Sequence, residues 1–477
     1  MVIKTNNDYA LLTDYYQLTM CNGYLLKGLA NKRAVFDLFF RQAPFKGVYA
    51  ICYGLNKAVR DICEMKFSQD DLEYLQERNL FSDKFLEYLA KWKCELTIRA
   101  IDDGRVIFPE EPIVEAEGSL IQCQIIETYL LNCFNFPTLC ATKANRMWLT
   151  SEKQPILEFG LRRAQGPDGG LTASEAAMVG GCASTSNVLA GKKFGITVSG
   201  TQAHSWIMAH ESELESFRSY ADVYPDSCVL LIDTYDIIKG CKNAIIVGKE
   251  LEAKGKKLLG IRIDSGDLAY FSRQTRKMLD KAGLKDTKII ASNEVDEHII
   301  EGVKFQNGAV DIWGIGTKLA TCYDQPALGG VYKLVEIDGK PKLKISSNVE
   351  KTTVPGKKRL FRIYDEDDFM TGDVIELFET QALEEDFVYD PLNPLRFYKI
   401  SKPARVESLF KLKMEKGKLI GEINDWRKAR KTMEEDIIHL PEASKRLLNP
   451  QNYKVSISRS LYELRTNLIE RYIGKIL

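Results

Sequence analysis

The middle of this 477-residue chain predicts a parallel α/β fold, on three observations. Short apolar, β-branched runs alternate with helix-like stretches from Ile156 to Trp313. That rhythm is what parallel strands joined by crossover helices require. Polar residues gather after the carboxyl end of each run and not before its amino end. Parallel α/β folds place ligands at that end of their strands. Apolar residues make up 45% of the chain, enough for a substantial core. The period alone leaves open whether the sheet is open or closed into a barrel.

The expected strands are Ile156–Phe159, Gly195–Ser199, Val229–Ile232, Leu258–Ile263, Lys288–Ala291 and Val310–Trp313, with Val331–Ile337 as a seventh candidate. The expected helices between them cover Ser174–Lys193, Ile237–Lys257, Tyr270–Asp286 and Asp296–Gln306. After the first strand come Gly160, Arg162 and Arg163. The second leads to Thr201 and His204, and the third ends in Asp233 and Asp236. The fourth carries Arg262 and then Asp264-Ser265-Gly266-Asp267. Ser292-Asn293-Glu294 follow the fifth, and Gly314, Gly316 and Thr317 the sixth. Six such clusters at one end of six strands predict one shared site.

The flanks read differently. Strand-like runs such as Ala34–Phe40, Gly47–Leu55 and Cys94–Ile101 precede a buried helix at Ile125–Phe136. Beyond Val354 the chain has acidic surface segments, a hairpin about Lys416-Gly417 and a helical tail at Ser458–Ile473. The expected domains are therefore 1–144 and 354–477, packing together as a mixed α/β unit, around a central active-site domain at 145–353.

Lys+Arg and Asp+Glu both number 66, so the net charge is zero. Nucleic-acid and anionic-membrane binders usually carry a basic excess. Neither partner is expected, although a few local arginines still suffice for a small anion. The 11 cysteines contain no CxxC, which argues against a zinc cage or a disulfide framework. The first residues lack a basic stretch followed by an apolar one, and no apolar run approaches the ~18 residues of a membrane span. A soluble, cytoplasmic protein is the expectation.

The strand-end residues suggest their chemistry. Arg162, Arg163 and Arg262 suit phosphate or carboxylate through arginine's planar fork, the alternative being ion pairs with nearby aspartates. The SGD and GIGT turns offer backbone N–H groups free of bulky side chains, a weak signal for phosphate when taken singly. No GxxxxGK[ST] is present, so a Walker-type nucleotide loop is not supported. Asp233 and Asp264 are hard oxygen ligands suited to Mg²⁺ bridging substrate phosphates. Asp267 serves equally well as a helix cap. Two of the four histidines, His204 and His210, lie in GTQAHSWIMAH. Six residues apart, they diverge around a helix, which argues against a two-histidine metal site. His204, at a strand end, is the candidate base or nucleophile. His210 reads as structural.

With these residues in view, the chain resembles the nicotinate phosphoribosyltransferases along nearly its whole length. The motifs are ALLTDYYQLTM, FGLRRAQGPDGG, GTQAHSW, GIRIDSGDL, ASNEVDE, WGIGTKLATC and ALGGVYKLVEI, in that order. Gln202 departs from the pattern, where a methionine-like residue is expected. The resemblance implies an irregular α/β barrel of fewer than eight strands, with a second mixed α/β domain built from both chain ends. It implies transfer of ribose phosphate from phosphoribosyl pyrophosphate to nicotinate, in NAD salvage, with release of pyrophosphate. ATP and Mg²⁺ are implied, ATP being hydrolysed through a phosphohistidine, which makes the enzyme an ATP-coupled ligase. His204 matches the family's histidine. Tyr16, Thr201 and Arg262 match nicotinate contacts, with Tyr16 supplied by the other subunit of a homodimer. Arg162, Gly316 and Thr317 match phosphate-binding positions. The rivals are a nicotinamide-specific transferase, a sugar-phosphate isomerase or aldolase, and a non-enzymatic binder. An aldolase wants a strand-end lysine, and only Lys318 is near. A binder has no need of the strand-end histidine.

Overall fold

A computed structural model describes residues 9–346, 351–380, 383, 387–393, 395–400, 403–421 and 425–473. The chain divides into two compact units, one of Cys140–Pro326 and one of residues 1–139 and 327–477.

The Cys140–Pro326 unit carries six parallel strands: β1 (Ile156–Glu158), β2 (Ser184–Thr185), β3 (Val229–Leu231), β4 (Gly260–Ile263), β5 (Lys288–Ala291) and β6 (Ile312–Ile315). Their order is β2-β1-β6-β5-β4-β3. The strands are short and almost wholly buried, with Ile156, Leu230, Ile261, Ile263, Ile289 and Trp313 in the core. Helices α1 (Gly166–Gly180), α2 (Val188–Phe194), α3 (His204–Met208), α4 (Glu213–Val223), α5 (Ile237–Ala253), α6 (Leu268–Lys281), α7 (Glu297–Phe305) and α8 (Thr317–Ala320) run between and after them. Three aspartates start helices: Asp236, Asp267 and Asp296 each accept the backbone N–H three residues on. Such caps satisfy amides that a helix cannot pair internally. Capping thus accounts for Asp267.

Three expected elements differ. The stretch 174–193 is not one helix: α1 ends at Gly180, β2 follows, and α2 starts at Asn187, whose side chain accepts from Ala190 N. Gly181 has φ 121°, and a Cβ there would lie 2.5 Å from the Trp148 ring, so the chain turns where only glycine fits. Gly195–Ser199 is not a full strand; Val198 makes a single parallel bridge to Thr185. Val331–Ile337 is a strand, but an antiparallel one in the other unit, paired with Arg33–Phe40.

That other unit holds a seven-stranded antiparallel sheet in which Arg33–Phe40 pairs with Gly330–Ile337 on one side and Val114–Ser119 on the other. It also holds a mixed six-stranded sheet in which Met370–Leu377 pairs antiparallel with Lys358–Tyr364 and parallel with Val455–Ser458. The hairpin about Lys416-Gly417 joins Lys411–Glu415 to Lys418–Leu419, and the tail forms the helix Arg459–Ile473. The amino-terminal residues 1–8 and parts of the acidic stretch 384–394 lie outside the described residues. Among the described residues, no helix is long and apolar enough to cross a membrane. Nine of the eleven cysteines are buried as small side chains.

Candidate active site

The carboxyl ends of β3, β4 and β5 bring their polar residues into one hydrogen-bonded group. Arg262, on β4, donates from Nε to Ser292 Oγ (2.9 Å), from Nη1 to Thr201 Oγ1 (3.1 Å) and from Nη2 to Asp264 Oδ1 (2.9 Å). Its guanidinium lies 5.6 Å from the Phe159 ring centre, a cation–π contact that orients the plane. Ser292 also donates to Asp264 Oδ1. Burial pushes the Asp264 carboxyl up, but the charge of Arg262, the Ser292 hydrogen bond and His204 outweigh it. Asp264 is held below the usual carboxylate range.

His204 opens α3 and stands beside this group. Its Nδ1 lies 3.1 Å from Thr234 Oγ1, and its Nε2 lies 3.8 Å from Asp264 Oδ2. Its side chain stays 41% exposed, so the ring is both oriented and reachable. His210 plays a structural part instead. Its Nδ1 donates to the Trp206 carbonyl at 2.8 Å, and the two rings pack 5.0 Å apart. Trp206 in turn donates to Ser216 O, which ties α3 to α4.

Asp233 uses one oxygen. Oδ2 accepts from Asp264 N (3.2 Å) and Ser265 Oγ (2.6 Å). Oδ1 is buried and has no partner among the described residues. A buried carboxylate oxygen without a donor carries a desolvation cost that a cation relieves. Asp233, with Asp264 Oδ2 nearby, therefore fits a magnesium ion, which takes one or two carboxylates and completes its shell with phosphates and water.

The β1 and β6 ends form a second group. Glu158, fully buried, accepts from Gly160 N, Ser174 Oγ (2.9 Å) and Thr185 Oγ1 (2.6 Å), which anchors the turn Leu161–Arg163. Arg162 and Arg163 are exposed there, and neither forms an ion pair among the described residues. A Cβ on Gly160 would lie 2.3 Å from Ala320 Cβ and 2.8 Å from Gly316 O, so this turn and the Gly316-Thr317 turn touch backbone to backbone. Thr317 Oγ1 donates to Glu294 Oε1 at 3.2 Å. Two residues of the β5 loop, Asn293 and Glu294, have φ of 95° and 45°, a strained backbone of the kind found at ligand sites.

Tyr16 belongs to the other unit. It sits on the helix Tyr15–Leu26, 47% exposed, with its hydroxyl 3.3 Å from Glu127 Oε1. Burial, followed by the Glu127 carboxylate, pushes its phenol above the usual range. The sequence reading passed over Thr234 and Glu158. Thr234 was detectable as the hydroxyl residue directly after the strand-end Asp233. Glu158 was detectable as an acid inside an otherwise apolar run.

Sequence profiles of the nicotinate phosphoribosyltransferases match almost the whole chain: the N-terminal domain at residues 11–135, the family at 155–382 and the C-terminal domain at 357–465. The nicotinate phosphoribosyltransferase of Bacillus subtilis (strain 168) is 40% identical over 99% of this chain and 97% of its own length. This chain belongs to the nicotinate phosphoribosyltransferase family. The Homo sapiens member is 34% identical over 96% of each chain. A crystal structure of human nicotinic acid phosphoribosyltransferase superposes with a TM-score of 0.84, at 30% identity, covering 96% of this chain and 99% of that one. A nicotinate-nucleotide pyrophosphorylase from Pyrococcus furiosus shares the fold, with a TM-score of 0.72 at 21% identity over 92% of this chain and 98% of that one.

Proposed function

We propose that this chain transfers ribose 5-phosphate from phosphoribosyl pyrophosphate to nicotinate, forming nicotinate mononucleotide and pyrophosphate, and that ATP hydrolysis drives the reaction through a phosphohistidine at His204. The observation that carries the reading is the setting of His204: an exposed imidazole fixed by Thr234 on one nitrogen and faced by Asp264 on the other, beside a three-bonded Arg262. NAD salvage in the cytoplasm is the setting such a reaction serves.

Nicotinate brings a carboxylate. Arg262 and Thr201 supply the fork and hydroxyl to hold it, which leaves the ring nitrogen free to attack C1 of the ribose. The C1–O bond to pyrophosphate breaks as the ribose gains positive charge and the departing phosphates gain negative charge. Arg162 and the turn amides of Gly316 and Thr317 are the groups that would stabilise the phosphates as that charge develops. Magnesium, when bound by Asp233 and Asp264, supplies charge neutralisation to the same phosphates.

The Asp264 carboxylate, 3.8 Å from Nε2, attracts a proton to that nitrogen by charge rather than by a hydrogen bond, which favours the His204 tautomer protonated on Nε2. Nδ1 then keeps its lone pair, which the Thr234 hydroxyl holds in the resting site and releases as Nδ1 attacks the γ-phosphorus of ATP, with ADP leaving. Asp264 stabilises the positive ring that results. Water later cleaves the P–N bond and restores His204. A homodimer in which Tyr16 of one subunit completes the nicotinate site of the other belongs to the same reading.

Product analysis with nicotinate and phosphoribosyl pyrophosphate, with and without ATP, tests it. Nicotinate mononucleotide formation that ATP accelerates, with ADP released, supports the reading. Equal use of nicotinamide as acceptor would count against the role given to Arg262 and the substrate carboxylate.

A further inference from the structure

The parallel sheet of the Cys140–Pro326 unit has two edges, β2 and β3, and the segment Ile196–Gln202 lies between them. On the β2 side the pairing is ordinary: Thr185 N donates to Thr197 O (3.1 Å) and Ser199 N to Thr185 O (3.0 Å). On the β3 side no strand pairs among the described residues. Cys228 O and Ile232 N serve β4, accepting from Leu259 N and donating to Arg262 O. By strand alternation the backbone groups of Val229 and Leu231 face the opposite way, towards the edge.

Gln202 meets them. With its amide oriented to satisfy both partners, its nitrogen donates to Val229 O (2.7 Å) and its oxygen accepts from Leu231 N (3.3 Å). Those are the two groups, straddling one residue, that a neighbouring strand residue would bond with its own N–H and C=O. The residue is only 7% exposed, so few waters could substitute. A primary amide has the donor and acceptor for this; a methionine of similar size has no donor and only a weak sulfur acceptor.

We infer that Gln202 is a positioning residue: its carboxamide stands in for a missing strand residue at the β3 edge and thereby registers His204 and Thr201 against Thr234 and Arg262. The connection is short. Thr201 precedes Gln202 by one residue and His204 follows it by two, while Thr234 follows Leu231 by three. Two hydrogen bonds thus tie the loop that carries the nucleophile to the strand that carries its orienting hydroxyl. The kinetic consequence rests on the proposed function; the clamp itself does not.

The test compares Gln202→Met with Val247→Ala, a core control on α5 remote from these residues in sequence. Both are studied well below their melting midpoints. Loss of the clamp should speed deuterium exchange at the Leu231 amide and across 196–206 in Gln202→Met alone. It should also move the His204 Nδ1 resonance in an imidazole ¹⁵N spectrum, which is simple with four histidines and needs no substrate. For nicotinate mononucleotide formation, kcat should fall on the order of tenfold or more, as expected when a reacting group is misplaced, while Val247→Ala keeps the wild-type kcat. Unchanged Leu231 exchange in Gln202→Met would overturn the clamp. Faster exchange with an unmoved His204 resonance, or with wild-type kcat, would overturn the positioning role. Wild-type protein that makes no nicotinate mononucleotide would overturn the functional reading instead, with the exchange and resonance results still judging Gln202.

Discussion

Arg262 spends three of its five N–H donors on Ser292, Thr201 and Asp264, which leaves one on each terminal nitrogen. Two such donors match a carboxylate edge-on. Arg262→Lys keeps the charge and loses the fork. The nicotinate KM is expected to rise roughly 10–100-fold, the equivalent of ~1.5–3 kcal/mol for a charge-assisted hydrogen bond. Steady-state kinetics alongside a melting curve checks this; a large fall in melting temperature with unchanged KM would point to a structural ion pair. The sequence allowed both readings of Arg262; the ion pair with Asp264 is present, and the donors it leaves are the ones the proposed carboxylate site would use. His204, Thr201, Asp233 and Asp264 could be read from their positions after apolar runs, and Arg262 as a charge inside one. What Thr234 and Gln202 do could not. Their roles depend on which backbone edge lies beside them, and sequence spacing says nothing of that.

Among elements, the paired turns after β1 and β6 depend on glycine at Gly160. A methyl group there would lie 2.9 Å from Glu158 Oε1 as well as against Ala320 and Gly316. Gly160→Ala is expected to push the turns apart, at an overpacking cost of ~1–3 kcal/mol, and to weaken phosphoribosyl pyrophosphate binding more than nicotinate binding. Isothermal titration with each ligand measures the difference. Parallel strands β1, β3, β4, β5 and β6 were legible because each is a short β-branched run with turn residues behind it. The β2 strand was not. Two residues long and flanked by small helix-tolerant residues, it is imposed by pairing with β1 and by the turn at Gly181, neither of which local propensity encodes. Val331–Ile337 was correctly a strand, yet alternation cannot name the sheet a strand joins, and its partner lies about three hundred residues earlier.

For the whole molecule, stability and assembly give separate expectations. In the unit built from both chain ends, Glu407 accepts from Arg105 Nη1 (2.7 Å) and Nη2 (2.8 Å) and from the Tyr364 hydroxyl (2.8 Å). Burial pushes its carboxyl up, but the Arg105 hydrogen bonds and charge outweigh this and hold it at about 2. A folded-state pKa below the unfolded value of ~4.3 stabilises the fold fully above that pH. The contribution is lost as pH falls through about 2. Glu407→Gln should therefore cost ~1–3 kcal/mol at neutral pH, with a gap from wild type that narrows in acid. Denaturant melts between neutral and acid pH check the sign. Assembly is tested by mixing Tyr16→Ala and His204→Ala chains. Shared sites predict that mixed dimers regain part of the activity, since one site then has both residues intact; inactive mixed dimers would refute sharing.

The most direct test of the central claim is transfer of γ-labelled phosphate from ATP to the protein. The account predicts an acid-labile, base-stable label that is present in wild type and His210→Ala, absent in His204→Ala, and discharged as nicotinate mononucleotide forms. Label retained in His204→Ala and lost in His210→Ala would contradict it.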